Sequence, residues 1–201
     1  MVKGIINMKN IIITGGAGFI GSRFAKLCIE KGHNIKIIDK MTYAANMDRL
    51  DVNLGPIILH EKDICDVDHN DILHADYIVN FAAETHVDNS IKDGKPFIRS
   101  NVEGVFNLIE QSRKIGVKKF IQISTDEVYG DILEGESKET DSIKPSSYYS
   151  ATKASADMLV LSAHRTYGLP YIITRTCNNF GPGQHEEKFV PKIIKCLENN
   201  F

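Results

Sequence analysis

The chain contains no tryptophan, only 6 prolines and only 4 cysteines in 201 residues. The cysteines, Cys28, Cys65, Cys177 and Cys196, lie far apart with no paired spacing. That excludes a disulfide framework and a zinc-ligand motif, and it predicts reduced thiols in a cytoplasmic protein with no metal. No apolar run approaches the ~20 residues of a bilayer span, and residues 1–10 lack the apolar centre of a secretion signal. Met8 is a second candidate start. Charge of neither sign dominates: 24 Lys+Arg stand against 26 Asp+Glu, for a net charge of -2. There is therefore no basic footprint for nucleic acid and no polybasic membrane anchor. What remains is a chain with 42% hydrophobic residues, enough for one domain that buries roughly 70% of its unfolded surface. Its expected partner is a small molecule.

The chain alternates strand and helix signals with no repeat, linker or low-complexity segment. Asn10 to Thr14 reads as a buried strand and runs into Gly15-Gly16-Ala17-Gly18-Phe19-Ile20-Gly21. A helix follows, with Ile20, Phe24, Leu27 and Cys28 as its expected apolar stripe and Gly32 at its C-terminal cap. Asn34 to Ile38 form a second strand ending in Asp39. Pro56 to Leu59 suggest a third and Tyr77 to Phe81 a fourth, closed by the small residues Ala82 and Ala83. Ser100 to Gly116 carry Val102, Val105, Phe106 and Ile109 at helical spacing. Phe120 to Ile123 are a fifth strand, a helix runs from Tyr148 to about Tyr167 with Gly168 as its cap, and Tyr171 to Thr174 are a sixth strand. Six such alternations predict an α/β fold with a doubly wound parallel sheet of the Rossmann type.

Three features carry chemistry. The first is the glycine turn between strand and helix: it lets backbone approach a pyrophosphate, whose charge rests on free N–H groups at the helix N-terminus. Asp39 lies about 20 residues further on, where an acid binds a ribose 2′-hydroxyl and disfavours a 2′-phosphate, so NAD is the expected cofactor. Asp63 stands where it could meet an adenine amino group or be a plain loop carboxylate. The second feature is Tyr149 and Lys153, four apart on one helix face. A phenol of pKa ~10 needs ~4 kcal/mol of help to ionise near neutrality, and a nearby ammonium together with a nicotinamide ring could provide it. The third is Thr125-Asp126-Glu127 at the mouth of the fifth strand, three proton-handling groups where α/β sheets bind ligands.

Together these residues resemble the extended short-chain dehydrogenase/reductases, and within them the nucleotide-sugar 4,6-dehydratases, those acting on dTDP-glucose above all. The likeness is carried by Thr14 to Gly21, Asp39-Lys40-Met41-Thr42-Tyr43-Ala44, Ala82 to Asp88, Ser124 to Gly130, Tyr149 to Lys153 and Asn178 to Pro182. It implies NAD contacts at Gly15, Gly18, Phe19, Ile20, Gly21, Asp39, Lys40, Thr42, Asp63, Ile64, Ala82, Ala83, Tyr149 and Lys153. It implies substrate contacts at His86, Asn179 and Lys188, of which His86 reads equally well as a structural histidine. Tyr149, activated by Lys153, would take the proton of the sugar 4-hydroxyl, with Thr125 bonded to the same oxygen and NAD as a recycled hydride carrier. Glu127 would remove the C5 proton and Asp126 would protonate the departing C6 hydroxyl. Two adjacent carboxyls with opposite jobs require different surroundings.

The family's chains continue beyond residue 201. Residues 1–176 are thus expected to be the NAD-binding domain with the catalytic groups, and residues 177–201 the start of a substrate lobe that is largely absent. The fold and NAD binding are expected to survive in this chain, with weak turnover unless a partner completes the site. Homodimerisation through Ser100 to Gly116 and Tyr149 to Tyr167 is a further implication. Two other functions fit the same superfamily: an epimerase or decarboxylase of nucleotide sugars, or a non-catalytic NAD-binding protein.

Overall fold

The computed structural model describes residues 8–50 and 57–199. Six strands form one sheet: β1 (Asn10–Thr14), β2 (Asn34–Asp39), β3 (Ile58–Glu61), β4 (Tyr77–Asn80), β5 (Lys119–Thr125) and β6 (Tyr171–Thr176). Their order is β3-β2-β1-β4-β5-β6, with every neighbouring pair parallel. The order reverses between β1 and β4, which makes the carboxyl ends of those strands the natural binding crevice. The doubly wound parallel sheet read from the sequence is the fold observed.

Both faces of the sheet are buried, as a parallel sheet requires. Ile12, Ile38, Ile78 and Phe120 pack on one face against Val105, Leu108 and Ile109 of α4 (Gly104–Ile115) and Ala156, Val160 and Ala163 of α5 (Tyr148–Tyr167). Ile11, Ile13, Ile37 and Val79 pack on the other against Ala25 and Cys28 of α1 (Phe19–Glu30). A polar chain also crosses the sheet near the crevice. Thr14 Oγ1 donates to Asn80 Oδ1 at 2.5 Å, and Asn80 Nδ2 donates to Gln122 Oε1 at 2.9 Å. All three side chains are fully buried, so each bond is made without competition from water.

Several expectations need correction. The buried face of α1 is Gly21, Ser22, Ala25 and Cys28, whereas Ile20 and Leu27 are 39% and 46% exposed. The glycine turn sets the roll of this helix, so small residues meet the sheet and the bulkier apolar ones turn outward. Phe106 is likewise 53% exposed, and Leu108 takes the core position in its place. The helix around it starts earlier than expected, after α2 (Val87–Lys92), as α3 (Lys95–Ile98). It then passes through a π turn at Arg99–Glu103 into α4. β3 runs two residues further than expected because it pairs with Lys36 through Asp39, and Pro56 lies outside the described residues. β5 extends through Ser124 and Thr125, which pair with Arg175 and Thr176. Gly168 closes α5 in the left-handed conformation, as read from the sequence. The final element is α6 (Phe189–Glu198).

Gly15 and Gly116 have nearly the same backbone, with φ of 67° and 68°. A Cβ on Gly15 would lie 2.6 Å from the Ala82 nitrogen, while one on Gly116 would meet nothing within 4 Å. Gly116→Ala should therefore cost about 1 kcal/mol of left-handed strain, and Gly15→Ala about 1–3 kcal/mol more for overpacking. Urea unfolding of the two variants checks this; equal losses would contradict the close approach of the turn to β4.

Candidate active site

The crevice at the strand reversal holds a cavity of about 670 Å³. Its floor is the glycine turn. Gly15, Gly18, Phe19, Ile20 and Gly21 all line it. Among the described residues the N–H groups of Phe19 and Ile20 have no backbone acceptor, and α1 has no side-chain cap. These free donors fit a pyrophosphate. Asp39 sits beside them, 8% exposed. Its oxygens accept the Ala17 N–H at 3.0 Å and the Met41 N–H at 2.9 Å, which fastens β2 to the turn and leaves lone pairs for a ribose hydroxyl. Ala82 and Ala83 form the opposite edge, where the Ala82 backbone lies against Gly15.

Lys40, Thr42, Asp63 and Ile64 line the same cavity towards β3. The Asp63 carboxylate accepts the Cys65 N–H at 2.9 Å and pairs with Arg99 at 3.4 Å and Lys40 at 3.7 Å. Burial raises its pKa, but Cys65, Lys40 and Arg99 more than offset that and hold it below the ordinary carboxylate range. Asp63 is thus an ionised acceptor, suited to an amino group. The residues in this half fit a dinucleotide such as NAD.

The other half is built by β5 and α5. Thr125 ends the strand, and its hydroxyl accepts the Glu127 N–H at 3.3 Å, so it caps the short 3₁₀ turn Asp126–Tyr129. Tyr149 and Lys153 enter from α5, whose start is fixed by a Ser147–Ser150 capping box. Thr125, Glu127, Tyr149 and Lys153 share the cavity wall; Asp126 does not line it. Asp126 instead accepts the Thr125 hydroxyl at 3.2 Å and raises the pKa of the neighbouring Cys177 thiol. The two carboxyls therefore stand in different surroundings. Burial, followed by the charge of Asp126, raises Glu127, with Lys188 opposing.

Burial dominates the electrostatics of the Tyr/Lys pair. Burial, with Glu127 and Asp126 adding, pushes the Tyr149 phenol up to about 12, while Thr125 pulls the other way. Lys153 points its Nζ at the Ile123 carbonyl, 2.5 Å away, and burial pushes it down to about 8. The chain's own groups thus keep Tyr149 protonated, because it is enclosed with two carboxylates.

The substrate-side residues lie at the mouth. His86 Nδ1 accepts the Asn89 N–H at 3.4 Å, capping α2, so its structural role is real, while its ring still lines the cavity. Lys188 Nζ donates to the Thr85 carbonyl at 3.3 Å. Asn179 lines the cavity and donates to the Cys177 carbonyl at 3.2 Å. Sequence reasoning missed Glu187. Its carboxylate accepts the Tyr43 hydroxyl at 3.3 Å and lies 3.7 Å from His86 Nε2, clasping the segment before α6 to the loop after β2. In the run His185-Glu186-Glu187-Lys188 it looked like one more surface charge. Among the described residues no cluster suited to a metal ion is present and no helix is long and apolar enough to cross a membrane.

The depressed Lys153 has a measurable consequence. The unfolded chain holds this proton to about 10.5 and the folded chain only to about 8, so the buried charge weakens the fold below about pH 8 and the penalty is relieved as pH rises towards 10.5. Relative to Lys153→Met, the native chain should gain up to about 3 kcal/mol between about pH 7 and pH 10. Denaturant unfolding across that range checks the sign; a constant difference would contradict it.

Comparison with known proteins agrees with this geometry. The description "NAD dependent epimerase/dehydratase family" matches residues 11–200. Agl12, a low-salt glycan biosynthesis protein of Haloferax volcanii, is 45% identical over 199 residues, covering 94% of this chain and 63% of its own. The dTDP-glucose 4,6-dehydratase of Streptomyces niveus is 43% identical over 195 residues, covering 90% and 57%. Among solved structures, the dTDP-glucose 4,6-dehydratase DesIV of Streptomyces venezuelae, crystallised with NAD, superimposes with a TM-score of 0.91 at 38% identity, over 95% of this chain and 62% of that one. The UDP-N-acetylglucosamine 4-epimerase of Methanobrevibacter ruminantium gives 0.89 at 31% identity, over 96% and 64%. The chain thus spans about three fifths of the length of these relatives. With nearly every described residue inside the match, the chain belongs to the NAD-dependent epimerase/dehydratase family.

Proposed function

We propose that this chain carries the cofactor and catalytic half of a nucleotide-sugar 4,6-dehydratase acting on dTDP-glucose or a related hexose. The observation that carries the reading is the shared wall: Thr125, Glu127, Tyr149 and Lys153 line one cavity together with the glycine turn. Bound NAD supplies a hydride acceptor that later gives the hydride back. Tyr149 takes the proton of the sugar 4-hydroxyl once the positive nicotinamide ring and Lys153 offset the burial that otherwise keeps the phenol protonated, and Thr125 holds the same oxygen. Lys153 keeps a positive charge beside them. The resulting ketone acidifies the adjacent C5 proton, which Glu127 removes; its raised pKa suits a base working near neutrality. In this reading Asp126 protonates the departing hydroxyl so that water leaves, which requires its carboxyl to turn from the Thr125 hydroxyl into the cavity.

Residues 1–176 act as the NAD-binding domain in this reading, and the segment from residue 177 begins the substrate lobe, with His86, Asn179 and Lys188 on the substrate side. Low turnover by the 201-residue chain alone follows if the rest of the pocket must come from elsewhere, since water entering the site weakens its electrostatics. Four free thiols support a reducing, cytoplasmic setting. Ile98, Phe106 and Met158 are exposed on α3, α4 and α5. Their exposure leaves apolar side chains on these helices for a second copy of the chain to cover.

The likeness to a UDP-sugar 4-epimerase keeps an alternative reading in play, and mass separates the two. Incubated with NAD and either dTDP-glucose or UDP-glucose, the protein should yield a product lighter by one water. An unchanged sugar mass with altered C4 configuration would establish the epimerase instead. Light scattering on the same sample should show a dimer; monomer only would remove the apolar-surface argument.

A further inference from the structure

The mechanism above leaves a buried acid without a role. Asp157 lies one helical turn beyond Lys153 on α5, and its side chain is fully buried. Its Oδ2 accepts from Arg175 Nε at 3.0 Å. Arg175 lies on β6 opposite Ser124 of β5. Its Nη1 donates to the Tyr129 hydroxyl at 2.7 Å and to the Glu139 carbonyl at 3.4 Å. Its guanidinium also sits over the Tyr129 ring, 5.0 Å from the centroid. Tyr129 is the last residue of the 3₁₀ turn whose first two residues are Asp126 and Glu127.

The carboxylate therefore pairs directly with one cation, Arg175, and acts through its field on a second, Lys153, one helical turn away. Arg175 reaches the turn that carries the acids. Lys153 reaches Ile123 on β5 and stands beside Tyr149. Burial depresses Lys153, and Asp157 is the group that acts against it. For Asp157 itself burial is the largest influence and raises its pKa, with Arg175, Ser124 and Lys153 pulling it back towards the ionised form. A plain structural ion pair would need only the Arg175 contact. Placing the carboxylate four residues from Lys153 puts its field on the catalytic helix as well.

We propose that Asp157 is a positioning residue that keeps Lys153 charged and, through Arg175 and the Tyr129 hydroxyl, fixes the turn bearing Asp126 and Glu127. The two halves of the site then hold one mutual geometry. The functional meaning rests on the dehydratase reading, but the physical claim does not need turnover to be tested.

Lys153 can be titrated by NMR in protein labelled at lysine carbons, its signal assigned by loss in Lys153→Met. In Asp157→Asn the titration should move down from about 8 by about one unit, and Asp157→Glu should restore most of it. In Tyr129→Phe the Lys153 titration should stay put, while hydrogen exchange at the amides of Glu127 to Gly130 speeds up several-fold. An unmoved Lys153 titration in Asp157→Asn overturns the electrostatic role; unchanged exchange in Tyr129→Phe overturns the brace. If Asp157→Asn does not fold, the Tyr129→Phe exchange decides by itself. Failure of these readouts with a dehydrated product still formed would reject the positioning role alone. Success with a sugar of unchanged mass and altered C4 configuration would reject the dehydratase reading alone.

Discussion

A single buried charge organises the site. Lys153 is 5% exposed and spends its ammonium on the Ile123 carbonyl, a group in the last stretch of β5. Burying a cation is costly unless it is hydrogen-bonded and paired, so α5 is held where that bond and the field of Asp157 can form. Because Tyr149 sits four residues earlier on the same helix, fixing Lys153 also fixes the phenol against Thr125. The proton-handling groups are therefore neighbours as a consequence of one bond between a helix and a strand end.

The sheet does the rest. Reversal of strand order between β1 and β4 opens a crevice, and Gly15 lets the turn after β1 lie against Ala82 after β4. One side of the resulting cavity offers free N–H groups and the Asp39 carboxylate; the other offers Thr125, Glu127, Tyr149 and Lys153. A dinucleotide lying along the first side would bring its reactive end to the second. Glu187 adds a clasp over the mouth through Tyr43 and His86, which links the cofactor side to the segment that leads into α6.

What the sequence made legible was local. The glycine turn, Asp39, the Tyr149/Lys153 spacing and the Thr125–Glu127 triplet each lie within one strand–turn–helix unit, where residue type and spacing determine geometry. Less visible were features set by packing between distant segments. Neither the outward roll of Ile20 and Leu27 nor the π turn at Arg99–Glu103 has a pattern of its own. Asp157 and Arg175 are 18 residues apart on separate elements and meet only when β6 pairs with β5. Nor does spacing show that burial of the Tyr149 phenol, with Glu127 and Asp126 adding, pushes it up to about 12. Burial and neighbouring charge are tertiary quantities, and spacing alone does not supply them.

In the proposed dehydratase one cavity serves both hydride transfer and water loss, and the two separate at Glu127. Glu127→Gln keeps the size and hydrogen bonding of the side chain but removes the base. Mixed with NAD and dTDP-glucose, this variant should build up lasting nicotinamide absorbance of the reduced form and yield no dehydrated sugar. Dehydrated product formed at the rate of the native chain would contradict the account.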